Sequence, residues 1–119
     1  MRNFRDLKVW EKGHKLVLAI YRATMAFPRE EIYGLTAQIR RASTSIPSNI
    51  AEGCGRDTGG DFARFLQMAM GSASELEYEL LLARDLGFLN PSEHQVLAKD
   101  TTEVKRMLAT LIQRVRGGL

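Results

Sequence analysis

The chain has 119 residues, of which 45% are hydrophobic and 26% charged, and its net charge is +3 with a pI near 9.3. That size and balance suit a single folded domain spanning residues 1–119 and exclude a disordered or low-complexity polymer. No apolar run approaches the roughly 18 residues a membrane-spanning helix needs, which excludes an integral membrane protein of that type.

The first predicted helix runs from about Asp6 to Ala26. Its expected apolar face is Leu7, Trp10, His14, Val17, Tyr21 and Thr24, widened by Val9, Leu16 and Ile20. Phe27-Pro28 ends it, because the residue before proline avoids the α region. The second helix is expected from Gly34 to between Gly53 and Gly55, with Leu35, Ile39, Ala42, Ile46 and Ile50 as its core stripe. Pro47 sits inside that stripe among Ser43, Thr44, Ser45 and Ser48. An interior proline costs about 3 kcal/mol, and neighbouring hydroxyls soften that cost by bonding locally. A bent helix lined with small side chains follows, serving either internal packing or a seam for another subunit.

Thr58 and Asp61 resemble a capping box at the start of the third helix. Phe62, Leu66, Ala69, Ala73, Leu76, Leu80, Ala83 and Gly87 then recur at spacings of four and three, a heptad pattern that stops at the glycine. The fourth helix opens at NPSE, with Asn90 as cap, Pro91 in the first turn and Glu93 closing the box. Its stripe is Leu97, Thr101, Val104, Leu108, Leu111 and Val115, and Gly117 and Gly118 release the tail. Four long amphipathic helices with short connections define an all-α fold. The expected architecture is an antiparallel up-down-up-down four-helix bundle crossing near +20°.

Catalytic motifs are imitated rather than present. Asp57-Thr58-Gly59 matches the aspartic-protease triplet, but that chemistry needs two carboxylates held by β-rich halves, and here the triplet enters a helix. GCGRDTGG, from Gly53 to Gly60, fails the phosphate-loop patterns and follows a helix, not a strand. His14 and His94 lack a second ligand at i+3 or i+4, so no metal is expected, and His14 is expected to be a hydrogen-bonded core histidine. The lone cysteine, Cys54, has no internal disulfide partner and is expected to pack as a small apolar residue. No cofactor, no catalytic residue and no enzyme activity are expected. The N-terminus MRNFRDLKVW mixes charges with apolar residues, unlike a signal peptide, and a cytoplasmic location is expected.

Surfaces carry the functional signal. Residues 1–56 hold ten Lys/Arg against five Asp/Glu, whereas residues 57–119 hold seven against nine. The basic half could attract nucleic acid or the acidic half of a second copy. On the first helix Arg5, Lys8, Lys12, Lys15 and Arg22 fall within about 100° of one another, a single-sign ridge suited to a phosphate backbone. The plain alternative is a solvated face. No aromatic stacking platform is visible in the pattern. A second face of the second helix, Ala37, Arg41, Thr44, Ser48 and Ala51, is small enough for another backbone to approach. Behind the core stripe of the third helix lie Met68, Gly71, Tyr78, Leu82 and Leu86, which a monomer would expose. Homo-oligomerisation through Ala37, Thr44, Ser48 and Ala51 with those five residues is therefore expected.

Four stretches carry a resemblance: FRDLKVWEKGHKL, FPREEIYGLTAQIRRASTSIPSNIAEGCGR, FARFLQMAMGSASELEYEL and the ARDLGFL turn. They resemble the bacterial four-helix-bundle family of 23S rRNA-intervening sequence proteins over nearly the whole chain, most specifically from Gly34 to Arg56. One departure is Met70, where members often have arginine, a change that removes a charge from a shared polar network. The resemblance implies a ring-like homopentamer, the assembly of relatives that include accessory proteins of diversity-generating retroelements. In those relatives a basic ring surface serves nucleic acid and a reverse transcriptase. By matching position it nominates Lys8, Lys12, Arg40, Arg41 and Arg56 for such contacts. Arg40 or Arg41 could instead be a structural partner of Glu52 or Glu75. The expected function is electrostatic binding of structured RNA or single strands by a non-enzymatic oligomer, and the alternative is a protein–protein scaffold.

Overall fold

A computed structural model describes residues 2–117. Asn3 caps a short 3-10 turn, Phe4–Asp6, by accepting the Arg5 N–H on Oδ1 at 3.1 Å. Helix α1 then runs over Lys8–Thr24, later than its predicted start because this separate turn takes Asp6. Its buried line is Val9, Gly13, Leu16, Ile20 and Thr24. The expected stripe through Trp10, His14, Val17 and Tyr21 lies to one side, half-buried or exposed. The reason is Gly13: a Cβ placed there would lie 3.4 Å from Ile46 Cγ2 and 3.8 Å from Pro47 Cδ. The line of closest helix approach runs through a residue with no side chain, which a hydrophobicity pattern passes over. His14 is accordingly not a core histidine. It is exposed and stacks on Trp10, with ring centroids 5.1 Å apart.

Gly34 has no side chain with which to cap α2, Leu35–Cys54, and Glu31 takes that role by accepting the Leu35 N–H at 3.0 Å. The helix continues through Pro47, which is buried against Gly13. Ser43 and Thr44 donate to the Arg40 carbonyl at 2.9 and 2.7 Å, and Asn49 donates to the Ser45 carbonyl at 2.8 Å. Of the hydroxyls expected to bond locally around the proline, those of Ser43 and Thr44 do so, whereas that of Ser45 pairs with Ser72 of the third helix. The predicted core stripe of α2 is buried throughout.

Helix α3, Gly59–Asp85, begins at Thr58, whose hydroxyl accepts the Asp61 N–H at 3.1 Å. The Asp61 carboxylate turns to Arg64 instead of completing the box. Gly87, at φ +81°, ends the helix, with the Phe88 N–H bonded to the Ala83 carbonyl and the Gly87 N–H to that of Arg84. That pair of bonds is a Schellman stop. Helix α4, Pro91–Arg116, has both halves of the Asn90/Glu93 capping box. Near its end Ile112 is buried while Leu111 and Val115 are half-buried, a small shift from the predicted stripe. Gly118 lies outside the described residues.

Each helix packs against two neighbours, α1 on α2 and α4, and α3 on α2 and α4, with no contact across the diagonals. The product is an antiparallel four-helix bundle of 45 × 23 × 20 Å. Its centre holds Leu16, Ile20, Ile39, Ile46, Ile50, Phe62, Leu66, Leu76, Leu80, Val104 and Leu108. Cys54 is buried as well, and burial pushes its thiol pKa up. Among the described residues no helix is long and apolar enough to cross a membrane.

Candidate nucleic-acid interface

The basic residues of α1 face solvent beside α4, and several are already paired. Lys12 meets Asp100 of α4 at 3.6 Å, and Lys15 meets Glu11 one turn away at 3.9 Å. The single-sign ridge is thus interrupted at its middle. The rotation of α1 described above explains this, because it brings Lys12 to the acidic flank of α4. Arg56 pairs with Glu52 at 2.9 Å and lies over the Phe65 ring. Arg40 has no salt bridge to a carboxylate among the described residues. It donates from Nε to Thr24 Oγ1 at 2.9 Å and lies 4.6 Å above the Tyr21 ring, pinning α1 to α2. Arg41 forms no salt bridge among the described residues, and its charge pulls the Glu79 carboxyl of α3 downward against larger opposing effects. Arg5, Lys8 and Arg22 form no salt bridge among the described residues.

Two features emerge only in three dimensions. The start of α1 and the end of α4 enclose a shallow groove in which Lys8, Arg106 and Arg114 stand around Leu7, Met107 and Leu111, with Asp6 as an acidic member. Arg106 is held by Glu103 one turn earlier, and this bond draws the Glu103 carboxyl below its ordinary range. The sequence signal for this groove is Arg114 in the last turns of α4, but nothing in one dimension says that it ends beside Lys8. Around the helix from Lys8, by roughly 200° at Trp10, runs a ladder of π surfaces. The Arg5 guanidinium lies 4.5 Å from the Phe4 ring, Phe4 is tilted against Trp10 at 4.8 Å, and Trp10 stacks on His14. Of the ladder's three rings only His14 is exposed, whereas Phe4 and Trp10 are half-buried against the core and turned on one another. Its members come from the 3-10 turn and from successive turns of α1, so their order in the chain hides their adjacency.

The expected oligomer face is largely uncovered in this single chain. Ala37, Thr44 and Ser48 line a groove together with Tyr21, Ile32 and Tyr33, and Tyr33 is 94% exposed. Ala51 is half-buried. On α3, Met68, Tyr78 and Leu86 are exposed, Gly71 has open space where a Cβ would stand, and Leu82 is half-buried against the core. Between these two helices Ser45 and Ser72 share a hydrogen bond of 2.8 Å. Among the described residues no group of three or more His, Cys, Asp or Glu is placed to hold a metal ion.

Fold and surface together define a helical-bundle protein with a basic groove, a separate aromatic ladder and no cluster of convergent catalytic groups among the described residues. The chain belongs to the 23S rRNA-intervening sequence protein family, whose model matches residues 5–110. It is also similar to a protein of unknown function from the S23 ribosomal protein family of Bacteroides thetaiotaomicron VPI-5482, solved at 1.70 Å resolution. Identity is 26% and the TM-score 0.79, over 87% of this chain and 97% of that one. No curated protein matches the chain.

Proposed function

We propose that this protein is a non-enzymatic, cytoplasmic homo-oligomer, pentameric by its family resemblance, that binds structured RNA or single-stranded nucleic acid electrostatically. The observations that carry the reading are the groove in which Lys8 and Arg114 stand without a salt bridge among the described residues, and the separate Arg5–Phe4–Trp10–His14 ladder. Cations neutralise phosphates without regard to sequence, and π faces hold unpaired bases by stacking. Arg22 extends the cationic surface along α1. Lys12, Lys15 and Arg56, already engaged with carboxylates, contribute less than their number suggests.

The test is fluorescence anisotropy with a labelled single-stranded RNA and with a hairpin, over a salt series. Three phosphate contacts give a log–log slope of about −2 for single strands, so affinity falls roughly twenty-fold between ~50 and ~200 mM salt. Lys8→Glu with Arg114→Glu removes most of that slope, and Trp10→Ala weakens the single strand more than the hairpin. A flat salt response, or no binding at ~50 mM salt, sinks the reading.

A protein–protein scaffold is the second reading, favoured by the exposed apolar residues Met25, Ile32 and Tyr33 at the α1–α2 connection. If charge reversal at Lys8, Lys12 and Lys15 dissolves the oligomer but leaves RNA affinity intact, the scaffold reading replaces the first.

A further inference from the structure

The outer face of α2 is bounded by edges of opposite charge. On the α1 side stands Arg40, stacked on Tyr21 and without a carboxylate within salt-bridge distance among the described residues. On the α3 side stands Glu79, only 5% exposed, whose Oε1 receives no hydrogen bond. The titratable groups facing it are Glu75, one turn earlier on its own helix, and Arg41 from α2. Glu75 is exposed, so the two acids form a pair whose outer member meets solvent and whose inner member is buried. Exposed Met68 and Leu86 lie on the same helix to either side in sequence.

An unpartnered buried carboxyl oxygen is costly, and two adjacent carboxyls cannot both ionise without a compensating cation. In the isolated chain a proton held on Glu79 supplies that compensation. A guanidinium can replace the proton, because it stays charged and its planar fork matches a carboxylate. The chain itself presents such a group at the opposite edge of the same face. A contact of unlike edges is head-to-tail, and head-to-tail contacts close into rings.

We propose that the Glu75–Glu79 pair receives the guanidinium of Arg40 of a second copy, whose Nε stays on Thr24, so that joining protomers at this face expels a proton. This rests on the homo-oligomer reading above and names the contact that makes it. Burial, and then the hydrogen bond and charge of Glu75, push the Glu79 carboxyl up to about 7, against the pull of Arg41. Docking a cation lowers that value, so association strengthens as pH rises. With one proton released per contact, each contact is about tenfold weaker at pH 6 than at pH 8.

The experiment is sedimentation velocity of the full chain at pH 6, 7 and 8 and fixed ionic strength, with folding checked by circular dichroism. The wild type is expected to lose association toward pH 6. Glu79→Gln is expected to associate weakly at every pH, and Arg40→Gln likewise. An equimolar mixture of these two variants restores one intact contact and yields dimers that neither variant forms alone. If Glu79→Gln does not fold, Glu75→Gln takes its place in the mixture. A pH-independent wild-type oligomer, or a pH response that survives Glu79→Gln and so belongs to His14 or His94, overturns this contact and leaves oligomerisation standing. A wild-type monomer at all three pH values overturns both, while RNA affinity, read separately by anisotropy, decides the nucleic-acid reading.

Discussion

Replacing Gly53 with alanine tests how tightly α2 and α3 are bound together. A Cβ at Gly53 would lie 2.9 Å from Phe65 Cβ, 3.0 Å from Phe62 Cδ1 and 3.4 Å from the Phe62 carbonyl oxygen. None of these neighbours yields easily. Phe62 is fully buried, Phe65 is 5% exposed beneath two guanidinium groups, and the third contact is backbone. On helix propensity alone, Gly→Ala gains about 1 kcal/mol. Forcing a methyl into a packed site costs about 1–3 kcal/mol, and contacts below 3.0 Å that include a Cβ put this case at the upper end. The net expectation is a loss of about 1–2 kcal/mol, or a melting temperature lower by roughly 4–8 °C for a chain of this size. Gly60→Ala is the control. Nothing lies within 4 Å of its Cβ position, so the same chemical change should stabilise by about 0.5 kcal/mol. Urea unfolding followed by circular dichroism measures both. If Gly53→Ala proves as stable as the wild type, the α2–α3 contact is looser than described, and the reasoning from close approach fails.

Glu79 makes stability depend on pH in a stated direction. Its folded pKa of about 7 lies above the ordinary 4.5, so between those values the folded state holds more protons than the unfolded state. Stability therefore falls as pH rises from about 4.5 to 7, by up to about 3 kcal/mol, and then levels off. Urea titrations at submicromolar protein concentration, followed by Trp10 fluorescence, should show this slope in the wild type and its loss in Glu79→Gln; equal slopes would contradict the assignment. Asn90→Ala removes the Oδ1 that accepts the Glu93 N–H at 2.8 Å and should cost about 1 kcal/mol by thermal melting. Arg40→Ala removes both the bond to Thr24 and the stacking on Tyr21, and should cost about 1–2 kcal/mol by the same measurement.

Most of the bundle could be read in one dimension because its local signals agree. The heptad line of α3 from Phe62 to Ala83 is buried at every position, and Asn90, Pro91 and Glu93 fix the start of α4 as their chemistry requires. Helix α1 shows what such reading leaves out. Its tightest approach to α2 passes through Gly13, a residue that scores as nothing on a hydrophobicity scale, and the buried face centres on it together with the expected Val9, Leu16, Ile20 and Thr24. Centring the helix on that contact leaves Trp10 half-buried and His14 exposed, with the two rings stacked, and carries Lys12 to Asp100. One misplaced stripe thus changes which cations remain available for phosphate and whether a base has a ring to lie on. Glu79 was hidden for the converse reason. In ELEYELL it reads as one more solvated acid, and only the approach of α2 buries it beside Glu75 and leaves an oxygen unpartnered. Burial of a charge is a property of two elements meeting. Residues whose role depends on such meetings therefore lie where periodicity is silent: at a glycine, at a rim aromatic, and at an acid one position off the core line.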